Sequence, residues 1–567
     1  MDWQRYAYIG GILLVSLTLV YKWNEFEDRQ VDLATSAPVA EIANTGNDNS
    51  TTDDSLSDIP SVPNNTATQF TAAENNSSDA RQLIKVTTGT LELLIDPLGG
   101  DIVKAVLIQH KVKLNGEQGF TILDNTGSTL YIAQSGLVAP KNTPDTPGTD
   151  NSKTGRPIFS SAKNEYALTE GDNDLIVDLV NQQGGVTITK RFEFQRDNYL
   201  IQLSYLINNQ TTDTWQANLY GQIKRDNHEP PVAADAGFGV NPFYGAATTT
   251  SEDKYEKLKF SEIDKLSKED ESFDFQGGWV AMVQHYFTSA WIPNSDVTNH
   301  FTIEKLGNSN YYRLGFLSPT INVAPGSQGE LSAQFYVGPK DIDQLEAIAE
   351  NLDLTVDYGF LWWIAKPLFH LLDYIHTYIG NWGWSIIVLT IIIKAIFFYP
   401  SAMSYRSMAK MRKVAPKMQQ LKERYGDDRQ KMSQEMMKLY KKEKVNPLGG
   451  CLPILIQMPV FISLYWMLRE SVELRHAPFA LWIKDLTVMD PYFVFPLIMG
   501  ATMFIQQRLN PTPPDPMQAK IMQWMPIGFT FLFLWFPAGL VIYWVTNNTL
   551  SIIQQYLITR AIEKGSD

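Results

Sequence analysis

The sequence predicts a polytopic α-helical membrane protein of six spans that also carries a large β-sandwich on one side of the membrane. Three observations predict this. Strand-like runs rich in Val, Ile, Thr and aromatics recur between Gly-containing turns from Arg81 to about Gly338, with no long helical pattern. Five apolar runs follow Phe360. The charge is also split. Residues 22–357 hold 24 Lys+Arg against 47 Asp+Glu, so a chain of net charge −14 must carry +9 elsewhere. An acidic part and a basic part suggest two sides of a membrane.

The elements follow in order. Residues 1–26 contain the apolar run Ala7–Tyr21, flanked by Trp3, Arg5, Tyr6, Lys22 and Trp23. Aromatics at both ends and no small-residue cleavage pattern favour an uncleaved signal-anchor span over a cleaved signal peptide. Residues 27–80 are Ser, Thr, Asn, Asp and Ala-rich and read as a flexible linker. Residues 81–357 form the β-sandwich. Its runs include KVTTGTLELLID, GVTITKRFEF, YLIQLSYLI and WVAMVQHYFTSAWI, and a helix at Asp341–Leu352 leads back to the membrane. Residues 358–381 are apolar but carry Lys366, His370, Asp373 and His376, as an amphipathic interfacial helix would.

Span 2 covers 382–403, span 3 447–468, span 4 491–508, span 5 521–536 and span 6 538–558. Between spans 2 and 3, residues 404–446 hold 13 basic residues against five acidic, which assigns this loop to the cytoplasm. The loop 469–490 and the β domain then lie outside. The loop 509–520, the tail 559–567 and the N-terminus lie inside. The single Cys451 excludes an internal disulfide. The stretch Leu448-Gly449-Gly450-Cys451 is too far from the N-terminus to serve as a lipid-attachment box.

Span 2 raises a question, because SIIVLTIIIKAIFFY places Lys394 among apolar residues. A cation at a span centre costs at least about 2.5–3.5 kcal/mol, and none of the six spans contains an Asp or Glu to pair with it. Taken as one straight helix, span 2 sets Lys394 roughly 13 Å from Met403, in the cytoplasmic half of the bilayer. A hydrated cavity open to the cytoplasm accounts for this. A lysine that snorkels to the headgroups is the alternative. Thr390 lies one turn earlier on the same face. Gln457, Thr502 and Gln506 add polar groups on other spans. Tyr543, Asn547, Ser551 and Gln554 form a polar stripe on span 6, flanked by Asn548. Such a groove could lower the cost of moving a polar protein segment across. No nucleotide-binding loop or metal-ligand cluster accompanies it, so the reading is of a non-enzyme without cofactor or metal. The competing reading is a secondary transporter using Lys394 as a binding site. It lacks intramembrane carboxylates and a visible inverted repeat.

The basic loop has its own pattern. Met408, Met411, Ala415, Met418 and Leu421 keep helical spacing, Gly426-Asp427-Asp428 interrupts it, and Met432, Met436, Leu439 and Tyr440 resume it. This predicts an antiparallel helical hairpin with a Met-rich seam. The seam is either an ordinary packed core or a pliable surface for varied apolar segments. The basic outer face, which includes Arg412 and Lys413, suits ribosomal RNA, anionic headgroups or plain solvation.

The motifs SMAKMR, SQEMM, EKVNPLGGC, LIQMP, SVELR, APFALWI and LWFPAGLVIYW closely resemble the bacterial YidC membrane-protein insertase family (YidC/Oxa/Alb), in its Gram-negative form. The match runs from about Phe360 to the tail. The resemblance implies a five-helix insertase core with a hydrophilic groove, closed toward the periplasm. It implies a groove cation at Lys394, where many relatives carry Arg, with Thr390 and Gln457 at groove positions; the polar stripe adds Asn547 and Asn548 as groove candidates. Lysine keeps the charge but lacks the bidentate fork. Phe461, Trp535, Tyr543 and Trp544 are expected near a hydrophobic slide for client helices. The implied partners are nascent membrane proteins, the Sec translocon, the lipid bilayer and, weakly through the basic loops, the ribosome. DNA is not among them, and a monomer suffices. The β domain resembles the sandwich of sugar mutarotases, but His110, His228, His285 and His300 form no convincing catalytic motif. A docking surface or spacer is expected there.

Overall fold

The computed structural model describes residues 82–563 apart from 126–128, 142, 144, 229–241, 269, 426–427, 444–451 and 511–515. The expected anchor (1–26), the linker (27–80) and Cys451 lie outside the described residues.

Residues 84–339 build two sheets, one of eleven strands and one of nine. Strict alternation explains why they pack face to face. In Leu91–Asp96 the residues Leu91, Leu93 and Ile95 are buried, and in Val186–Gln195 the buried set is Val186, Ile188, Lys190, Phe192 and Phe194. Hydrogen bonds cross between the layers. The Tyr131 hydroxyl meets Ser289 Oγ at 2.7 Å, and Trp291 Nε1 donates to the Gln222 carbonyl at 3.1 Å. Two runs that look continuous in sequence are hairpins. KVTTGTLELLID breaks at Thr88–Thr90, where the Thr88 hydroxyl accepts from the Leu91 amide at 3.0 Å. WVAMVQHYFTSAWI breaks between Val283 and Phe287, closed by Gln284 N to Phe287 O at 2.9 Å.

Lys190 is a charge in this core. Its ammonium donates to the Gly99 carbonyl at 2.9 Å and to Ser135 Oγ at 2.7 Å. Burial draws its pKa down to about 7. Beside it Arg156 grips Asp101 with two nitrogens at 2.6 and 2.8 Å and reaches Asp150 at 2.9 Å. The set satisfies itself with geometric precision, as a buried ionic cluster must.

Beyond the sheets the helices are α1 (Ile342–Ile348), α2 (Trp362–Ile379), α3 (Trp382–Ile396), α4 (Phe398–Tyr425), α5 (Arg429–Lys442), α6 (Leu452–Glu470), α7 (Val494–Leu509), α8 (Pro516–Leu532) and α9 (Ala538–Glu563). α9 is the hub and packs against α3, α4, α6 and α7. α2 lies against α3 and α6, with Phe360, Trp362, Trp363, Tyr374 and Tyr378 exposed on or beside it.

The stretch 382–403 is divided between two helices. α3 stops at Ile396, and α4 leaves it at an angle of 67°. Pro400 falls in the first turn of α4, and in an unbroken helix its ring would crowd the carbonyl four residues earlier, that of Ile396, which favours a break here. Among the described residues no single helix is long and apolar enough to cross a membrane, although the bent pair α3–α4 passes by length and composition. α3, α7 and α8 have 15, 16 and 17 residues. α9 has 26, but its Asn and Gln residues interrupt the apolar run.

The β domain docks on the end of α6 and the loop after it. Lys340 Nζ lies 3.3 Å from Glu470 Oε2, and His285 Nε2 bonds the Arg469 carbonyl at 3.1 Å. Arg475 donates to the Lys111 carbonyl at 2.6 Å while lying over Phe120 and Phe287.

Candidate functional site: a buried lysine where three helices meet

Lys394 sits on the last turn of α3 and is 8% exposed. Its ammonium donates to Ser551 Oγ on α9 at 2.8 Å. Ser551 in turn donates to the Asn547 carbonyl at 2.7 Å. The buried phenol of Tyr405, on α4, adjoins the same hydroxyl. Among the described residues no carboxylate is within ion-pair distance of Lys394, so the charge is met by a neutral oxygen. A lysine has three donors, and the described protein occupies one of them.

The other expected groove residues divide. Thr390 is buried, but its hydroxyl is spent on its own helix, donating to Ile386 O at 2.6 Å. Asn547 belongs to the Lys394 side through its carbonyl. Asn548 faces the other way, with its amide donating to Thr502 Oγ1 on α7 at 3.3 Å. One residue of rotation on a helix is about 100°, which separates adjacent positions onto different neighbours. Further along, Gln555 continues the α7 side, bonding Leu509 O at 3.2 Å and Asn510 Oδ1 at 2.9 Å. Gln457, on α6, keeps an enclosed amide nitrogen without a partner among the described residues, as does the Trp544 indole nitrogen. Unpaired buried donors of this kind are usually met by water.

The aromatic residues expected at the slide form one cluster with an outlier. Phe461 stacks on Tyr543 at 6.4 Å and meets Trp544 edge-on at 5.0 Å. Trp544 also meets Phe533 at 5.6 Å. Trp535 pairs instead with Phe531 at 4.8 Å and is half exposed.

In the hairpin, Val414 and buried Met418 pack with Met411, Met436, Leu439 and Tyr440. Met408 is also buried but lies outside that cluster. Arg412 and Lys413 are not merely solvated. Arg412 donates to the Leu509 and Arg508 carbonyls at the end of α7. Lys413 donates to Ile562 O near the end of α9 at 3.0 Å. Both cations thus cap helix C-termini, where positive charge is favoured.

Sequence reasoning left out Ser551 and Tyr405 as site residues, and missed the interface of Lys340, His285 and Glu470 altogether. Ser551 had a signal, since it lies in the polar stripe one turn after Asn547. Among the described residues no group of three or more His, Cys, Asp or Glu is placed to hold a metal ion.

Residues 83–371 match the family described as YidC periplasmic domain, and residues 374–565 that described as 60Kd inner membrane protein. The Membrane protein insertase YidC of Cellvibrio japonicus (strain Ueda107) is 54% identical over 570 residues, covering 100% of this chain and 99% of its own. That of Saccharophagus degradans (strain 2-40 / ATCC 43961 / DSM 17024) is 52% identical, covering 100% of both chains. A solved active YidC insertase, with its first transmembrane domain resolved, is 19% identical with a TM-score of 0.37, covering 84% of this chain and 92% of the other. Two full-length relatives above 50% identity, together with two family matches that meet almost end to end, settle the assignment: the chain belongs to the YidC family of inner-membrane protein insertases, which are not enzymes.

Proposed function

We propose that the helical part is the insertase core and that Lys394 forms the floor of a hydrated groove open to the cytoplasm. The observation that carries this is the buried ammonium with one neutral partner. A charge kept in that state, beside unpartnered donors on Gln457 and Trp544, is poised for water or for a polar segment of a client. The polar flank of a nascent membrane protein enters this groove at reduced desolvation cost. The apolar segment then leaves sideways past Phe461, Tyr543 and Trp544 into lipid. In this reading the chain crosses the inner membrane six times with both termini inside and the β domain in the periplasm. α2 lies in the outer interface, where its exposed aromatics suit the headgroup level. The chain acts as a monomer, alone or with the Sec translocon, and the basic hairpin offers the ribosome a weak contact. Thr390, Asn547 and Asn548 contribute to the groove wall. The transporter reading has no support in the named activity of the relatives.

The test is site-specific photocrosslinking to ribosomes stalled on a short single-span client. A probe at Gln457 is expected to capture the nascent chain, and a probe at the exposed Ile553 to capture it less. Capture at Ile553 alone would remove the groove as the route.

A further inference from the structure

We infer that Ser551 is a positioning residue for Lys394, an inference that rests on the groove reading above. The hydrogen-bond direction carries it. The Ser551 proton is committed to the Asn547 carbonyl at 2.7 Å. Its oxygen lone pairs therefore face outward, and one receives the Lys394 ammonium at 2.8 Å across 157 residues of sequence. A free serine could rotate its hydroxyl to donate or accept, but this one is fixed as an acceptor by its own helix. A lysine side chain has four rotatable bonds, and holding it in one geometry needs such a partner. Ser551 is buried, and Tyr405 closes around it from α4. Three helices therefore converge on a single hydroxyl. The consequence is an ammonium directed across the helix bundle at α9, instead of snorkelling along α3 to the headgroups. Its remaining donors stay available at that fixed point.

The experiment is a double-mutant cycle on insertion of the single-span client in reconstituted vesicles. Ser551→Ala is expected to lower insertion about tenfold, the scale of one hydrogen bond to a charged group. Ser551→Thr, which keeps the hydroxyl, is expected to restore it. In a Lys394→Ala background, Ser551→Ala is expected to add nothing. An equal further loss in that background, or full insertion by Ser551→Ala alone, would overturn the inference. Insertion by Lys394→Ala at the wild-type rate would instead overturn the groove reading itself. Should Ser551→Ala be recovered unfolded, the isosteric pair Ser551→Thr and Ser551→Val gives the same comparison, with the hydroxyl as the only difference.

Discussion

The ammonium of Lys340, at the end of the β domain, lies 3.3 Å from the carboxylate of Glu470 at the end of α6, and both side chains are almost wholly buried. Lys340 also donates to Thr355 O at 3.1 Å. Burial pushes the Glu470 carboxyl up, against the pull of Lys340 and Arg469. A buried pair is broken more expensively than it is replaced. Lys340→Ala is expected to destabilise the protein by about 3–5 kcal/mol, and the double change Lys340→Met with Glu470→Leu to recover most of that. Thermal unfolding in detergent checks both.

Glu473 gives the same interface a pH dependence. Its Oε2 is enclosed and unpartnered among the described residues. Burial, with smaller contributions from Asp341, Asp373 and Asp343, raises its pKa to about 8. The unfolded chain ionises this group near 4.5 while the folded chain keeps it protonated. Stability is therefore lost as pH rises from about 4.5 to 8, by an amount on the order of 2–4 kcal/mol. Glu473→Gln is expected to flatten this slope, read as Tm against pH beside the wild type.

His285 acts with the opposite sign. Burial first, then Lys340 and Arg469, hold its pKa well below 6.5. The neutral ring bonds the Arg469 carbonyl, so the 3.6 Å approach to Glu470 is not an ion pair at neutral pH. Its contribution is present above about pH 6.5 and is lost as pH falls below that. His285→Asn is expected to remove the acid-side loss in the same Tm series.

Close packing sets the contact of α7 with α8. A Cβ at Gly500 would clash with Thr530 Oγ1, whose hydroxyl is held by Pro526 O at 2.7 Å. Gly500→Ala is expected to cost about 1–3 kcal/mol through overpacking, and adding Thr530→Ala to relieve it. Urea or thermal unfolding of the single and double variants checks the compensation.

The hairpin is tied down by two adjacent cations. Replacing Arg412 and Lys413 together by Ala removes their bonds to the ends of α7 and α9. Cleavage within α4 and α5 by limited proteolysis is expected to quicken about tenfold, since cutting tracks the population of the undocked form.

What the sequence made legible was local. Alternation marked the sandwich, composition marked the change near Phe360, and the apolar surroundings of Lys394 marked it as unusual. The Met spacing named part of the hairpin seam, Met411, Met418, Met436, Leu439 and Tyr440, but not Val414 at its centre. What stayed hidden needed partners distant in sequence. Periodicity cannot say that Lys394 faces Ser551, or that Lys340 and His285 meet the end of α6. It also cannot assign Asn547 and Asn548 to different neighbours, because that depends on where α3 and α7 stand around α9. The break at Phe397 was legible in principle, since Pro400 names the carbonyl it displaces. Apolar composition across the break masked that signal.

The bend at Phe397 makes α3 and α4 the two arms of a crank. α4 has 28 residues and is about 42 Å long, whereas Lys394 lies only about 4.5 Å behind the corner. A pivot of a few degrees that carries the hairpin tip through about 4 Å moves the Lys394 backbone by about 0.4 Å on the same geometry. The mechanical advantage is roughly ninefold. A weak push at the hairpin tip would be delivered to the turn that carries the buried charge as a small, forceful displacement.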